Sequence, residues 1–460
     1  MLINTADQYP RNIILVVADS LRYDSVYKNN EINLPYIEAN ATQFHQARSG
    51  GCWTLPATAS MFTGLMPHEH GATSQTRNIR KDIPTLAEQL KLKGYATHQI
   101  TANIATTEVF GLERGFDHVS KIWQQVAVRY NIMQKILALM GKPRLRKIII
   151  SGDDVMNRLT EDLEASKVWL QYTHQNVLDQ ARQLIADNEQ ANKRSFIFIN
   201  LMETHFPYHI ADTFHTSSTG MANKVREIVS MFHFVNQTFL QTGKLHVKPE
   251  MLKILRNRQR KAWEIIAPAV DAFVREMHQD KNNLVIFCGD HGDNFGEDNW
   301  LYHFSNVTDG GNKIPLFWLE PKHSNKPAQI HTPVSACDIY STILRTVGST
   351  QGISIHKEPD ESLSVIQSYW YNCHGKTLPQ YKYNQICFVD NEYRYLYRMG
   401  RWFAAPISKS SWEPPFEPIP NDINPILEGG STPRRQQKMS EILKNFILFS
   451  DKIMQKTNPA

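Results

Sequence analysis

Hydrophobic residues in this chain fall into short unbroken runs. Residues 12–18 (NIILVVA), 195–202 (SFIFINLM) and 283–288 (NLVIFC) are continuous and rich in β-branched side chains. Strands buried on both faces of a parallel sheet have this pattern. Helical patterns lie around them, at 84–93 (PTLAEQLKLK, closed by Gly94), about 162–189 and 249–278. Strands alternating with helices predict a doubly wound α/β domain. A further helix with an apolar face is predicted over 334–348, and 349–380 is loop-rich. Residues 385–405 alternate apolar and polar side chains like an antiparallel hairpin; a Pro-rich stretch (413–433) and a last helix near 436–449 follow. The expected organisation is a catalytic domain over 1–350 and a small C-terminal subdomain over 351–460. Two basic, partly helical stretches, about 120–160 and 207–260, look like insertions into the first.

In open α/β sheets ligands bind beyond the carboxyl ends of the strands. Polar residues gather there: Asp19 after the first run, His205 after the second, Asp290 and His291 after the third. Between the first two runs lies GGCWTLPATASMFTGLMPHEHG, residues 50–71. Pro56 and the closing Gly64 bracket a short helix, because Pro favours the first turn and Gly the end. Thr54 therefore stands at a helix N-terminus, where unpaired N–H groups and the helix dipole stabilise negative charge. It is either a cap or a nucleophile for a phosphate or sulfate ester.

Composition narrows the alternatives. At 460 residues the chain accommodates two domains, and its 41% hydrophobic and 21% charged content is that of a globular protein. A net charge of +5 without basic blocks fits an anionic substrate and gives no sign of nucleic-acid binding. The five cysteines lack C-x-x-C spacing, which argues against a disulfide framework or zinc ribbon. The N-terminus has no signal-peptide pattern and no run reaches transmembrane length, so a cytoplasmic protein is expected.

Asp19, Thr54, Asp290 and His291 together offer carboxylate, hydroxyl and imidazole ligands. Such a set suits one divalent cation, with Mn²⁺ or Zn²⁺ favoured and Ca²⁺ open. Bound metal lowers the pKa of a coordinated hydroxyl. Ester cleavage also needs a proton donor and positive charge around the transferring group. His205 and His303 are the candidate proton carriers, and Lys313 and Arg22 the candidate added charges.

The chain resembles the sulfatase branch of the alkaline phosphatase superfamily. The resemblance rests on NIILVVADSLRYD, WTLPATASMFTGLMPHEHGA, IPTLAEQLKLKGYATHQITAN, METHFPY, IFCGDHGDNFGE, YHFSN, NKIPLFWLEP and VSACDIYSTIL, in the family's order over about 11–348. It implies a three-layer sandwich around a central, mostly parallel sheet, with a smaller C-terminal subdomain. It further implies that Asp19, Asp290 and His291 are metal ligands and that Thr54 is the nucleophile and touches the metal. By the same resemblance His205 lies near the leaving oxygen, Asn103 contacts substrate, and His303 contacts substrate or metal. One departure redirects the chemistry. Sulfatases carry Cys-x-Pro-x-Arg, whose cysteine becomes formylglycine; here the frame reads Thr54-Leu55-Pro56-Ala57-Thr58. No formylglycine is expected, and the resemblance turns toward phosphodiesterase and phosphonate-ester members that use an unmodified Thr or Ser. ETHFPYH also lacks the D-x-x-x-H pattern of two-zinc relatives, so one metal is expected.

The expected activity is metal-dependent hydrolysis of phosphate mono- or diesters, with sulfate esters as side substrates. The substrate is a small anionic ester, a glycan or lipid head group among the candidates. The alternatives are transfer of a phosphorylated head group to a glycan acceptor, and a catalytically silent binding protein of the same fold. Oligomeric state is not legible in the sequence.

Overall fold

In the computed structural model, the described residues are 9–27, 33–122, 174–206, 208, 249–279, 282–303, 306–321, 326–349, 354–355, 362–369, 384–407, 416–420, 423–428 and 432–457. The core is an eight-stranded sheet. Its strands are β1 (Asn12–Ala18), β2 (Thr42–Phe44), β3 (Tyr95–Thr101), β4 (His118–Lys121), β5 (Arg194–Leu201), β6 (Asn283–Gly289), β7 (Leu316–Leu319) and β8 (Gln329–Ile330). They lie in the order β8-β2-β7-β6-β1-β5-β3-β4. The run from β6 through β1, β5 and β3 to β4 is parallel, and β7 is antiparallel to both its neighbours.

The alternation of β1 fixes the layers, because successive side chains leave a strand on opposite faces. Ile13, Leu15 and Val17 pack toward α1 (Thr54–Thr63), α2 (Leu86–Leu92) and a later helix, Asp338–Thr346, through Leu55, Met61, Leu90 and Ile339. Ile14, Val16 and Ala18 pack on the other face against α3 (His174–Gln190) and α4 (Pro249–His278), through Val177, Ile185, Trp263 and Phe273. The sheet is thus buried between two helical layers. Each fully buried aliphatic or aromatic side chain contributes on the order of 1.5–3 kcal/mol of transfer free energy, before the entropy of ordering is subtracted.

Local signals set the ends of the short helices. Thr85 and Glu88 close a capping box on α2, the hydroxyl accepting from Glu88 N (3.3 Å) and the carboxylate from Thr85 N (2.8 Å). Gly64 ends α1 in the left-handed conformation (φ 71°).

A five-stranded antiparallel sheet follows in the C-terminal part: β9 (Ser364–Ser368), β10 (Gln385–Val389), β11 (Tyr393–Arg398), β12 (Arg401–Pro406) and β13 (Glu417–Pro418). Two of its features depart from expectation. The loop-rich stretch 349–380 contains β9, and 385–405 forms three strands where a hairpin was expected. Met399 (φ 53°) and Gly400 (φ 75°) turn β11 into β12 with two left-handed residues, the form that matches strand twist. The last helix, α5 (Pro433–Thr457), is longer than the 436–449 read from sequence. The expected insertion 120–160 and the beginning of the helix expected over 162–189 lie almost wholly outside the described residues, as does 207–260 up to α4 apart from Tyr208.

Candidate active site

Three strand ends and one helix end meet at the carboxyl edge of the sheet. β1 delivers Asp19, and the turn that aims it puts Ser20 in the left-handed region (φ 59°). Ser20 N donates to Asp290 Oδ1 (3.0 Å), tying the end of β1 to the loop after β6. From the loop after β5, Thr204 Oγ1 donates to the Asp19 carbonyl (2.6 Å). β6 delivers Asp290 and His291 through a turn that passes against Gly310. A Cβ on Gly292 would lie 2.3 Å from the Gly310 carbonyl oxygen, so only glycine fits there.

Thr54 is the first residue of α1, not its cap. Trp53 holds the cap position in extended backbone and makes no side-chain cap bond. The capping role is therefore excluded, and the hydroxyl is free for other partners. It makes long contacts of 3.4 Å to Asp19 Oδ2, 3.3 Å to His291 Nε2 and 3.4 Å to Asn103 Nδ2. Asn103, beyond β3, also donates to Asp19 Oδ2 (2.6 Å), and its Oδ1 accepts from Ala105 N (2.7 Å) to cap a short 3₁₀ turn. Thr54, Asp19, Asn103, Asp290 and His291 are all buried and lie together.

The electrostatics of this group are unbalanced. Burial and the neighbouring Asp19 carboxylate push Asp290 up to about 7. Burial would depress His291, but Asp290 and Asp19 outweigh it and raise its pKa. His291 Nδ1 lies 3.0 Å from the Gly292 carbonyl oxygen and must donate to it, which leaves Nε2 as a ligand atom. Asp290 Oδ2 is buried with no hydrogen-bond partner. The ligand atoms of Asp19, Asp290 and His291 lie within 4.8 Å of one another. An orphaned carboxylate oxygen, two nearby carboxylates and a correctly presented imidazole are the donor set a divalent cation takes.

His205 and His303 sit beside this group. Their rings are 5.0 Å apart, and His303 lies 4.7 Å from His291. His205 Nδ1 donates to the Phe206 carbonyl (2.7 Å). His303 Nδ1 is bonded to Asp293 Oδ1 (2.6 Å), and burial pushes the His303 pKa down to about 4 despite that carboxylate. Burial thus favours the neutral imidazole at His303.

The structure corrects two expected charges. Arg22 is committed elsewhere: Nε and Nη2 grip Asp24 (2.8 and 3.0 Å), while Nη1 donates to the Asp293 carbonyl (2.6 Å) and pairs with Glu297 (2.8 Å). These bonds hold the guanidinium against Asp24, Glu297 and the Asp293 carbonyl, and no described contact joins it to Thr54. Lys313 places Nζ 4.3 Å from the centroid of the Tyr23 ring, and its backbone pairs with Arg48. Burial and Arg48 hold its pKa down to about 8. No described contact joins it to Thr54 or the carboxylates.

Sequence reasoning missed Asp293 and Tyr208. Both lie within quoted motifs, IFCGDHGDNFGE and METHFPY, and the first reads there as turn chemistry. The sequence signal for Asp293 was a second carboxylate three residues beyond Asp290. His291, Asp293 and His303 form a second group of close ligand atoms among the described residues.

A family model described as Sulfatase matches residues 11–349, more than half of the chain. The chain belongs to the sulfatase family. Members of that family bind a divalent metal ion, and the buried acidic and histidine groups described here are candidate ligands. Arylsulfatase K of Xenopus laevis is 22% identical over 370 residues, covering 73% of this chain; the chain spans 63% of that relative's length. Among solved structures, a phosphonate monoester hydrolase of Silicibacter pomeroyi superposes with a TM-score of 0.61 at 17% identity, covering 94% of this chain and 95% of the other. The phosphonate monoester hydrolase of Agrobacterium radiobacter gives 0.59 at 16% identity, with 96% of each chain covered. At these identities the likeness is one of fold, an α/β architecture. No helix of the described residues is long and apolar enough to cross a membrane.

Proposed function

We propose that this protein is a metal-dependent hydrolase that cleaves phosphate mono- or diesters through a covalent threonine intermediate. The observation that carries the reading is the surroundings of Thr54. An unmodified hydroxyl stands at the first position of a helix, within 3.4 Å of Asp19, His291 and Asn103.

Asp19, Asp290, His291 and Thr54 are the residues that would hold one divalent ion. When bound it neutralises the paired carboxylates and adds positive charge beside the transferring group. Thr54 Oγ1 attacks phosphorus, its proton leaving through the Asp19 carboxylate to which it is bonded. The bond to the leaving oxygen breaks, and His205 protonates that oxygen. The Asn103 amide and the first N–H groups of α1 supply donors for the phosphoryl oxygens. Water then attacks phosphorus and gives its proton to His303. The phosphothreonine bond breaks, and the threonine oxygen takes back a proton as phosphate leaves. The Asp293 carboxylate at its Nδ1 supports this role, because it stabilises the imidazolium that forms.

Aryl phosphate mono- and diesters, phosphonate esters and sulfates, assayed with Mn²⁺, Zn²⁺ and Ca²⁺, test the reading. Phosphoester turnover that needs added metal is expected. Thr54→Ala is expected to abolish it, by 10³-fold or more on the order of other lost nucleophiles, with the fold intact. Substantial residual turnover in that variant sinks the mechanism.

A further inference from the structure

His303 is held by a chain of three segments distant in sequence. Asp293 Oδ1 is 2.6 Å from His303 Nδ1, and Tyr208 donates its hydroxyl to Asp293 Oδ2 (2.8 Å). Arg22 Nη1 fixes the Asp293 carbonyl from behind, and its guanidinium sits over the Phe295 ring at 5.3 Å. Asp293 is fully buried and Tyr208 is 2% exposed, so water does not compete for these bonds. Two links in the chain carry left-handed backbone at bulky residues, Tyr208 (φ 57°) and Tyr302 (φ 60°), the residue before His303. Such conformations are unfavourable for bulky side chains and persist where the surroundings over-determine them.

The same atoms form the second cluster of ligand chemistry, with His291. Hydrogen bonding favours a different role. Both Asp293 oxygens already accept bonds, and His291 presents only Nε2, which belongs to the group around Asp19.

We propose that Asp293 is a positioning residue that, anchored by Tyr208, holds His303 in the Nδ1–H tautomer with Nε2 as the proton acceptor. An ionised carboxylate only accepts, so the proton between them belongs to the imidazole Nδ1. The inference deepens the proposed hydrolase, because it selects His303 as the base for water in the second half-reaction.

Asp293→Asn is the informative variant. The amide keeps the size and still accepts from Tyr208, but its N–H points a donor at His303 Nδ1 and forces the Nε2–H form. In Zn²⁺-loaded protein with ¹⁵N-labelled histidine, the His303 signals are expected to change from the Nδ1–H to the Nε2–H pattern. With an aryl phosphate substrate, kcat is expected to fall about 10²–10⁴-fold, as when a buried aspartate that sets a catalytic tautomer is amidated. KM should change only a few-fold, and the first-turnover burst of leaving group should survive, because Thr54 still attacks. Tyr208→Phe should lower kcat less and leave the tautomer unchanged. An unaltered His303 tautomer in Asp293→Asn, or loss of the burst together with turnover, overturns the proposal. So does the loss of one of two bound metal equivalents, which would make this group a second metal site. The tautomer readout needs no substrate, so it stands apart from any failure of the hydrolase reading.

Discussion

A threonine hydroxyl is a weak nucleophile until its surroundings take its proton, and in the proposed mechanism neighbours from three other segments surround Thr54 for that purpose. Of these, Asn103 has the most specific job. Its Nδ2 bonds Asp19 Oδ2 at 2.6 Å while its Oδ1 caps the following turn at Ala105 N, so one amide is fixed at both ends. Removing it frees the Asp19 carboxylate to rotate and leaves Ala105 N without its cap. Asn103→Ala is expected to lower kcat/KM about 10–100-fold, on the scale of one lost charge-assisted donor, and to cost about 1 kcal/mol of stability. Asn103→Asp separates the roles, since it keeps the cap but turns the donor into a second acceptor beside Asp19. Near-wild-type stability with a larger loss of activity is expected, by parallel denaturation and steady-state assays. Legibility in the sequence also divides at this scale. Asp19, Asp290 and His291 were readable as a group at strand ends because each lies within three residues of the end of an apolar run. Arg22 and Lys313 misled because a charge count cannot tell a free cation from one consumed by Asp24 or lodged against Tyr23.

At the scale of the element, α1 is held by more than its apolar face. Ser60 Oγ lies 3.1 Å from His70 Nε2, and Ala72 N donates to His70 Nδ1 (3.0 Å). Nδ1 therefore accepts, and the ring is neutral. Burial, with a smaller contribution from His68, pushes its pKa to about 3. The sign follows from linkage. The folded state resists a proton that the unfolded chain takes up near pH 6.5, so stability is complete above that pH and is lost as pH falls toward about 3. The loss has an upper slope of about 1.4 kcal/mol per pH unit. Denaturation midpoints of wild type and His70→Gln between pH 7.5 and 5 test this: the variant is expected to be less stable at pH 7.5 but to show a flatter acid limb. Parallel limbs would remove His70 as a source of acid sensitivity. Strand β3 gives the lesson on legibility here. YATHQIT does not read as a buried strand, yet it is paired on both sides within the parallel run, between β5 and β4. Several of its polar side chains are held by nearby backbone, as where Thr97 Oγ1 donates to the Gly115 carbonyl (2.8 Å) and Gln99 Nε2 to Thr106 O (2.6 Å). Hydrophobic periodicity cannot see a strand whose buried face is hydrogen-bonded.

Across the whole molecule, the C-terminal sheet is coupled to the segment that carries Thr54. Gly51 pairs in parallel with Gln367 of β9, and Gln367 N donates to the Gly50 carbonyl (3.1 Å), a few residues before α1. Gln367 also bonds His68 just beyond α1, its Oε1 accepting from His68 N (3.2 Å). On its far side the sheet is closed by α5, where Met439, Phe446 and Ile453 recur at heptad spacing and pack with Ile386, Phe388 and Tyr395. Phe446 lies within 5.5 Å of Tyr369, centroid to centroid, at the end of β9. Truncating it opens a cavity under the strand that braces residues 50–51. Phe446→Ala is expected to cost about 3–5 kcal/mol. Hydrogen exchange provides the discriminating measurement. If the brace is real, the amide of Gln367 and those of β9 lose protection in the variant, while β1 and β5, in the interior of the large sheet, keep theirs. Activity at low temperature should persist, because no group around Thr54 is removed, and should fall at a lower temperature than in wild type. Uniform loss of protection across both sheets would mean that they unfold as one unit, and unchanged protection at Gln367 would mean that α5 does not support the strand behind Thr54.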